Sequence, residues 1–342
     1  MSETARLFAE TAERLFAEEA TRAVKEAAES GTYPEKLWRV ADAAGLLGAL
    51  VPEDAGGAGA NWAEAHAIVR AAGAHGVPAP VGETILAAGL LAACGIAIPD
   101  GPLTVLPGAM EISAQGVSGM MRRVPWGRVA KAGIAVSGGR LLLVDIAEAR
   151  VTPGVNLARE PRDDLALDGA RVMAAAALPA HWSGDVLFQA GATLRAAQMA
   201  GAIGRVLEMT VRYAGERVQF GRPIARFQAV QQSLAMLAGE AAAAARAAEA
   251  AFAALDSGPG PHEAAVAKIR AGEAAGKAAA IAHQVHGAIG FTYEHDLHFL
   301  TKRLWSWRSE FGSESEWAVL LGRAFAGARG EALWPALTAR FA

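Results

Sequence analysis

Cysteine is what this sequence has least of. A single residue, Cys94, stands among 342 positions, so no internal disulfide can form, and a reducing compartment such as the cytoplasm is expected. Cys94 sits in the apolar run "LLAACGIAI" and reads as a buried filler, not as a nucleophile. Long uncharged runs are scarce too. The longest, Ile85 to Ile98, is interrupted by Gly89 and Gly95 and falls short of the roughly 20 residues that a membrane span needs. Neither sign of charge dominates: 32 basic and 35 acidic side chains are intermixed, for a net charge of −3. That balance argues against nucleic acid and against an anionic membrane as partners. The eight histidines form no H-E-x-x-H and no cysteine/histidine cluster, so the neighbours His283, His286, His295 and His298 are not read as metal ligands. A G-x-S-x-G elbow and a Walker loop are missing as well, which disfavours a serine nucleophile and nucleotide hydrolysis. Small-molecule chemistry remains.

What the sequence has in abundance is helical periodicity. Its start, "MSETARLFAETAERLFAEEA", carries acids throughout and apolar residues at helical spacing, which predicts an amphipathic helix and not a signal peptide. Helices are expected near 4–30, 34–46, 62–74 and 82–94, with "VPEDAGGAGAN" as the clearest loop. From 111 the texture changes to short β-type runs, "AGIAVSG", "RLLLVDI" and "ARVTPGV", bounded by Gly, Asp and Pro. Helical pattern returns at about 183–216, 225–256, 262–286, 295–308 and 314–328. The break after the second of these is "DSGPGPH", where Gly258, Pro259, Gly260 and Pro261 cannot continue a helix. Ser313 with Glu316 has capping-box spacing. The run "GEAAAAARAAEAAFAAL" is read as a closely packed or subunit-facing helix, because alanine is the best helix former and the smallest. The expected fold is mainly α with a small central β domain: a helical domain over 1–110, a truncated β domain over 111–180, and a C-terminal four-helix bundle over 181–342 that mediates oligomerisation.

Two segments exceed what folding requires. In "RVQFGRPIARFQAVQ", residues 217–231, Gly221 and Pro223 explain a reversal between two helices, and Arg217, Phe220, Phe227 and Gln228 have no local reason. A surface ion pair and a core aromatic are the plain alternatives. In "HQVHGAIGFTYEHDLHFLTKR", residues 283–303, Gln284, Gly287 and Gly290 end a helix in a turn whose backbone can approach a ligand; a capped helix and nothing more is the plain alternative.

Together, "RVQFGRPIARFQAVQQSLAML", "QVHGAIGFTYEHDL" and the N-terminal "LWRVADAAGLLGALVPEDAGGAG" resemble signature segments of the acyl-CoA dehydrogenase family, and the helix–β–helix order fits along the whole chain. The resemblance implies FAD as cofactor and removal of the α proton and β hydride of an acyl-CoA thioester, with the hydride passing to the flavin. It implies that Arg217 pairs with the pyrophosphate of a neighbouring subunit's FAD. Gln219, Phe220, Phe227 and Gln228 would line the ADP end, and Gln284, His286, Gly287 and Ala288 its second wall. The chain departs from the family elsewhere. Where members carry a segment like T-E-P-x-x-G-S-D against the flavin ring, this chain has "DGPLTVLPGAMEISAQG". The two positions that supply the catalytic glutamate are Phe311 and Gly191 here, and neither takes a proton. Glu310, Glu314 and Glu316 lie close to the first. Glu310 is the substitute base to weigh, although Glu316 fits a cap and the other two fit a solvated helix start. The pattern is similar to the short subunit of heteromeric members of steroid side-chain breakdown, which pairs with a longer, complete subunit. A homomeric enzyme with a relocated base and a flavin-free helical scaffold are the alternatives.

Overall fold

The computed structural model describes residues 2–113, 115–182, 185–258, 260–326 and 334–335. Ser183 at an expected helix start, Pro259 in an expected break, and residues 327–328 at an expected helix end lie outside the described residues.

The N-terminal helices are α1 (Glu3–Glu19), α2 (Arg22–Glu29), α3 (Glu35–Ala43), α4 (Trp62–His75) and α5 (Val81–Ala93). The single helix expected over 4–30 is two. Thr21 makes the break, because its hydroxyl accepts from the Val24 amide and caps α2, as Ser2 caps α1 through the Ala5 amide. Asn61 and Glu64 exchange side-chain and backbone hydrogen bonds in a complete capping box at the start of α4.

The β domain opens with β1 (Leu103–Val105), ahead of the boundary expected at residue 111, and continues through β2 (Glu111–Ser113), β3 (Gly116–Pro125), β4 (Ala132–Ser137), β5 (Arg140–Asp145), β6 (Arg150–Thr152), β7 (Arg162–Ala170) and β8 (Val172–Ala177). Two four-stranded sheets form, in the orders β1-β4-β5-β8 and β2-β3-β7-β6. Among the described residues only the β1–β4 pair is parallel, with Leu103 opposite Ala132. Val117, Met121, Val124, Leu142, Val144 and Leu165 form a separate apolar core for this domain.

The bundle comprises α6 (Val186–Glu216), α7 (Gln228–Ala254), α8 (Pro261–His286) and α9 (Leu297–Trp307), with α10 (Glu314–Ala326) laid along α8. The alanine-rich faces meet: Ala267, Ala271, Ala274 and Ala278 of α8 and Ala241, Ala244 and Ala248 of α7 are buried. Small side chains let the backbones come close. The closest approach joins α6 to the N-terminal domain, where a Cβ on Gly201 would lie 1.9 Å from the Arg70 carbonyl oxygen of α4. Only glycine is possible there. No helix among the described residues is long and apolar enough to cross a membrane.

Candidate functional site

The expected reversal after α6 is a β-hairpin. The Arg217 amide closes the helix on the Tyr213 carbonyl, and the Arg217 carbonyl then accepts from the Ile224 amide, each at 2.8 Å. Between them β9 (Val218–Gln219) pairs with β10 (Arg222–Pro223). The two turn residues are Phe220 and Gly221, with φ of 51° and 77°, the double positive φ of a type I′ hairpin. Glycine takes that conformation freely, whereas a residue with a Cβ gives up roughly 1–2 kcal/mol. Phe220 is also 92% exposed. An aromatic held in strained backbone and pointed at water has no folding reason, so the core-aromatic alternative fails for it.

Phe227 lies next to it, edge to face at 6.2 Å, with the Arg222 guanidinium 4.2 Å over its ring. These residues form one wall of a groove of about 370 Å³ whose lining includes Gln219, Phe220, Ile224, Phe227, Ser233 and, from the end of α8, Gln284. The structure thus brings the two unexplained segments together. Arg217 and Gln228 are exposed beside the hairpin and Gly287 and Ala288 at the end of α8. Arg217 has no side-chain hydrogen bond or ion pair among the described residues, which removes the surface-ion-pair alternative. His286 differs from the others. Its ring is buried, stacked on Tyr213 at 4.5 Å, and its Nδ1 lies 2.7 Å from the Ala282 carbonyl; burial holds its pKa below the usual histidine value. Its carbonyl accepts from the Tyr213 hydroxyl at 3.2 Å, and His286 is not part of the groove's lining.

The two candidate base positions meet at a second place. Phe311 follows α9 in left-handed backbone, φ 53°, and a Cβ on Gly191 of α6 would lie 2.3 Å from its ring. The ring occupies the space a side chain at 191 would need. The loop is clamped from behind. Lys268 of α8, fully buried, donates to the carbonyls of Arg308 at 2.6 Å and Gly312 at 2.7 Å, and burial lowers its pKa to about 8. The indole of Trp317 donates to the Phe311 carbonyl at 2.8 Å and stacks on Phe188 at 4.8 Å. A cleft of about 470 Å³ opens beside this plug, with Pro107, Arg122, Arg123, Phe188, Glu310 and Phe311 in its lining.

Glu310 is not at a solvated helix start. Its carboxylate accepts from Arg162 Nε at 2.8 Å, from Arg195 Nε at 2.7 Å and from Asn156 Nδ2 at 3.1 Å. Burial alone would raise its pKa, but the two guanidiniums outweigh that and hold it near 2, so it stays ionised and makes a poor base. It is the centre of an alternating chain of buried charges. Arg195 also binds Glu83 of α5 at 2.6 Å, Arg162 binds Glu160 at 3.0 Å, and Glu160 meets Arg303 of α9 at 3.1 Å. Glu314 is likewise engaged, accepting from Arg308 at 2.6 Å. Glu316 completes the expected capping box: it accepts from the Ser313 amide at 2.7 Å and its own amide donates to Ser313 Oγ at 3.3 Å. Cys94 is half-buried, and burial raises its thiol pKa.

Lys268 and the charge chain are absent from the sequence reading above. For the chain a signal existed, because Glu83 and Arg195 each interrupt an otherwise apolar helical stretch, and an isolated charge inside an apolar run is either paired or functional; Lys268 has Arg270 two residues on and gave no such signal.

Residues 2–97 match the family "Acyl-CoA dehydrogenase, N-terminal domain" and residues 186–313 match "Acyl-CoA dehydrogenase, C-terminal domain". Acyl-CoA dehydrogenase IpdE2 of Mycobacterium tuberculosis is 35% identical over 292 residues, 82% of this chain and 84% of that one. Its namesake in Mycolicibacterium smegmatis is 33% identical over 306 residues, 89% and 93% of the two chains. Among solved structures, a chain of the ChsE4-ChsE5 complex from Mycobacterium tuberculosis superposes with a TM-score of 0.88 at 24% identity, covering 96% of this chain and 99% of that one. A Tcur3481-Tcur3483 steroid ACAD superposes at 0.84 with 28% identity, over 95% and 98%. Two matched domains and relatives of this length and identity lead to one conclusion: the chain belongs to the acyl-CoA dehydrogenase family, FAD-binding oxidoreductases that act on the CH–CH bond of acyl-CoA thioesters.

Proposed function

We propose that this chain is the non-catalytic subunit of a hetero-oligomeric acyl-CoA dehydrogenase. It completes the site for the ADP half of an FAD held by a longer partner subunit and leaves proton abstraction to that partner. The observation that carries the reading is the contact between Phe311 and Gly191, where a Cβ at 191 would lie 2.3 Å from the phenyl ring. Both positions that could offer a carboxylate are hydrocarbon or empty of side chain, and they fill one another. The adjacent carboxylate, Glu310, is neutralised by Arg162 and Arg195.

The two halves of a flavin site fare differently. At the groove the residues fit: an unpaired arginine, a solvent-exposed strained aromatic and exposed amides of Gln228 and Gln284 await a partner, and a planar guanidinium suits phosphate oxygens. At the other end they do not. Of the hydroxyls over 103–113, Thr104 donates to the Pro125 carbonyl in the interior and Ser113 donates to Gln115 at the exposed strand β2, so neither is left unpaired toward a flavin ring. FAD, when bound, supplies the acceptor for the β hydride. This chain's residues would hold its ADP end and exclude water from it. The 28%-identical relative is a steroid ACAD named as a pair, which supports a hetero-oligomer and a bulky, steroid-derived acyl group as substrate class.

The experiment compares flavin absorbance of the chain purified alone with that of the chain co-expressed with a longer relative carrying the family glutamate. Flavin only in the second sample is expected. Flavin in the first favours a homomeric enzyme, and flavin in neither favours a scaffold. Single-turnover flavin bleaching by an acyl-CoA should stay within a few-fold of wild type in Glu314→Gln and Glu316→Gln, and should vanish when the partner's glutamate is replaced. General-base catalysis contributes about 100- to 10,000-fold, so a loss of 100-fold in either variant would overturn the reading.

A further inference from the structure

Five non-glycine residues among the described residues have left-handed backbone: Arg123, Trp126, Arg159, Phe220 and Phe311, with φ between 51° and 64°. Such strain persists only where the surroundings over-determine it, and it collects at ligand sites. Here every one of the five lines a cavity. Phe220 lines the groove at the hairpin, and Arg123 and Phe311 line the cleft beside the plug. Trp126 and Arg159 line a third cavity of about 250 Å³, where the loop after α2 and Pro78 meet the β-domain loops at 126–129 and 155–161. The family chemistry makes no use of it in the reading given above.

We propose that this third cavity binds a small anion carrying one planar ring, with Arg159 holding the acid group and Trp126 and Tyr33 flanking the ring. The charge balance of the lining sets the sign. Arg128 is consumed by Asp163, at 3.0 Å through Nε, and by the Gly154 carbonyl at 2.7 Å. Glu29 is consumed by Lys302 at 2.6 Å. Arg159 is exposed and has no side-chain hydrogen bond or ion pair among the described residues, so the cavity presents one uncompensated positive charge. Its remaining wall combines aromatic and aliphatic surface, from Tyr33, Trp126, Pro78, Val155 and Pro161, with the hydroxyl residues Ser30 and Thr32. The phenol oxygen of Tyr33 is buried and has no hydrogen-bond partner, an arrangement that is costly unless something else supplies one. The volume sits just under the roughly 300–1,000 Å³ of drug-sized pockets, which limits the occupant to one ring and a small acid.

The loop that presents Arg159 is fixed in advance. Asn156 Oδ1 accepts from the amides of Ala158 and Glu160, both at 3.0 Å, and the Arg159 amide donates to the Asn156 carbonyl at 3.0 Å. Asn156 and Glu160 are themselves anchored in the buried charge chain through a 2.9 Å hydrogen bond to each other and through Glu310. A binding residue held rigid before the ligand arrives loses less freedom on binding.

The acid group can be a carboxylate or a phosphate, and two probes separate them: benzoate and phenyl phosphate, each titrated calorimetrically into the protein in the assembly in which it purifies. One of the two is expected to bind at micromolar to millimolar concentration. Arg159→Gly should weaken that binding tenfold or more while leaving Tm equal or higher, since glycine takes the left-handed backbone without strain. Arg159→Lys should keep much of it, and Tyr33→Phe should weaken it several-fold without lowering Tm. Failure of both probes to bind at millimolar concentration overturns the proposal. So does wild-type affinity in Arg159→Gly, and so does binding abolished by Arg217→Ala and indifferent to Arg159→Gly, which would put the probe in the hairpin groove. None of these results depends on whether the chain is catalytic.

Discussion

Two phenylalanines in left-handed backbone, Phe220 and Phe311, mark two regions built on opposite terms. Around Phe220 the polar groups are left over: Arg217 has no side-chain partner among the described residues, and the ring is 92% exposed. Around Phe311 everything is taken. Its carbonyl accepts from Trp317, its ring packs on Gly191 and lies 5.6 Å from the Arg195 guanidinium, and the neighbouring carboxylate binds two arginines. A region with unpaired polar groups and strain has capacity left for a partner; a region whose groups are paired with one another is held together from within, as the proposed non-catalytic role requires.

The comparison breaks most visibly at Glu310. In Glu310→Ala two buried guanidiniums lose their shared acid, a change of the kind that costs about 3–5 kcal/mol, and urea unfolding should show it. A loss below 1 kcal/mol would mean the region is not held by its charges. Acid should act on the same residue. Its folded pKa, about 2, is lowered from an ordinary value of 4.5, so its contribution is fully present above about 4.5 and is lost as pH falls toward 2. The shift corresponds to about 3 kcal/mol, and unfolding free energy measured between these limits should fall by at least that much, with this part of the slope missing in the alanine variant.

At the open region, Arg217→Ala should weaken FAD retention by the assembled complex by about 1.5–3 kcal/mol, the scale of a hydrogen bond to a charged group, read from flavin remaining after dilution. Stability of the chain itself should change little, because the exposed side chain has no hydrogen bond or ion pair to lose among the described residues. The closed region predicts the reverse for Gly191→Ala, which should destabilise by about 1–3 kcal/mol through overpacking. Pairing it with Phe311→Ala should return part of that loss, a coupling a double-mutant cycle would measure. The smallest effect is Phe220→Gly. Relief of roughly 1–2 kcal/mol of backbone strain exceeds the roughly 0.5–1 that glycine adds to the entropy of the unfolded chain, so a gain of a few tenths to about 1 kcal/mol is expected in thermal unfolding, together with weaker FAD retention.

The helices were legible because their punctuation is local. The capping box of Ser313 and Glu316, the Gly258 to Pro261 break and the alanine runs fix ends and faces within a few residues. The break at Thr21 was not, since Ala20 and Arg22 are good helix formers and only the hydroxyl's bond to Val24 stops the helix. At the hairpin, Gly221 announced a turn, but nothing adjacent requires a left-handed Phe220; two-residue register does, and register is a property of the pairing. The meeting of Phe311 with Gly191 and the pairing of Glu310 with Arg162 and Arg195 were beyond reach for the same reason, as these partners lie more than a hundred residues apart in the chain.

The chain of Glu83, Arg195, Glu310, Arg162, Glu160 and Arg303 draws its charges from all three sequence textures: the N-terminal helices, the β domain and the bundle with its following loop. Peeling off the first would leave Arg195 with one of its two acids, and peeling off the second would strand the Arg303 guanidinium and leave Glu310 with one of its two arginines. Partial opening therefore breaks buried ion pairs, which couples foldons that would otherwise come apart separately into a more cooperative transition. Amide exchange in α5, β7 and α9 should then proceed at a common slow rate, and the protein should melt once.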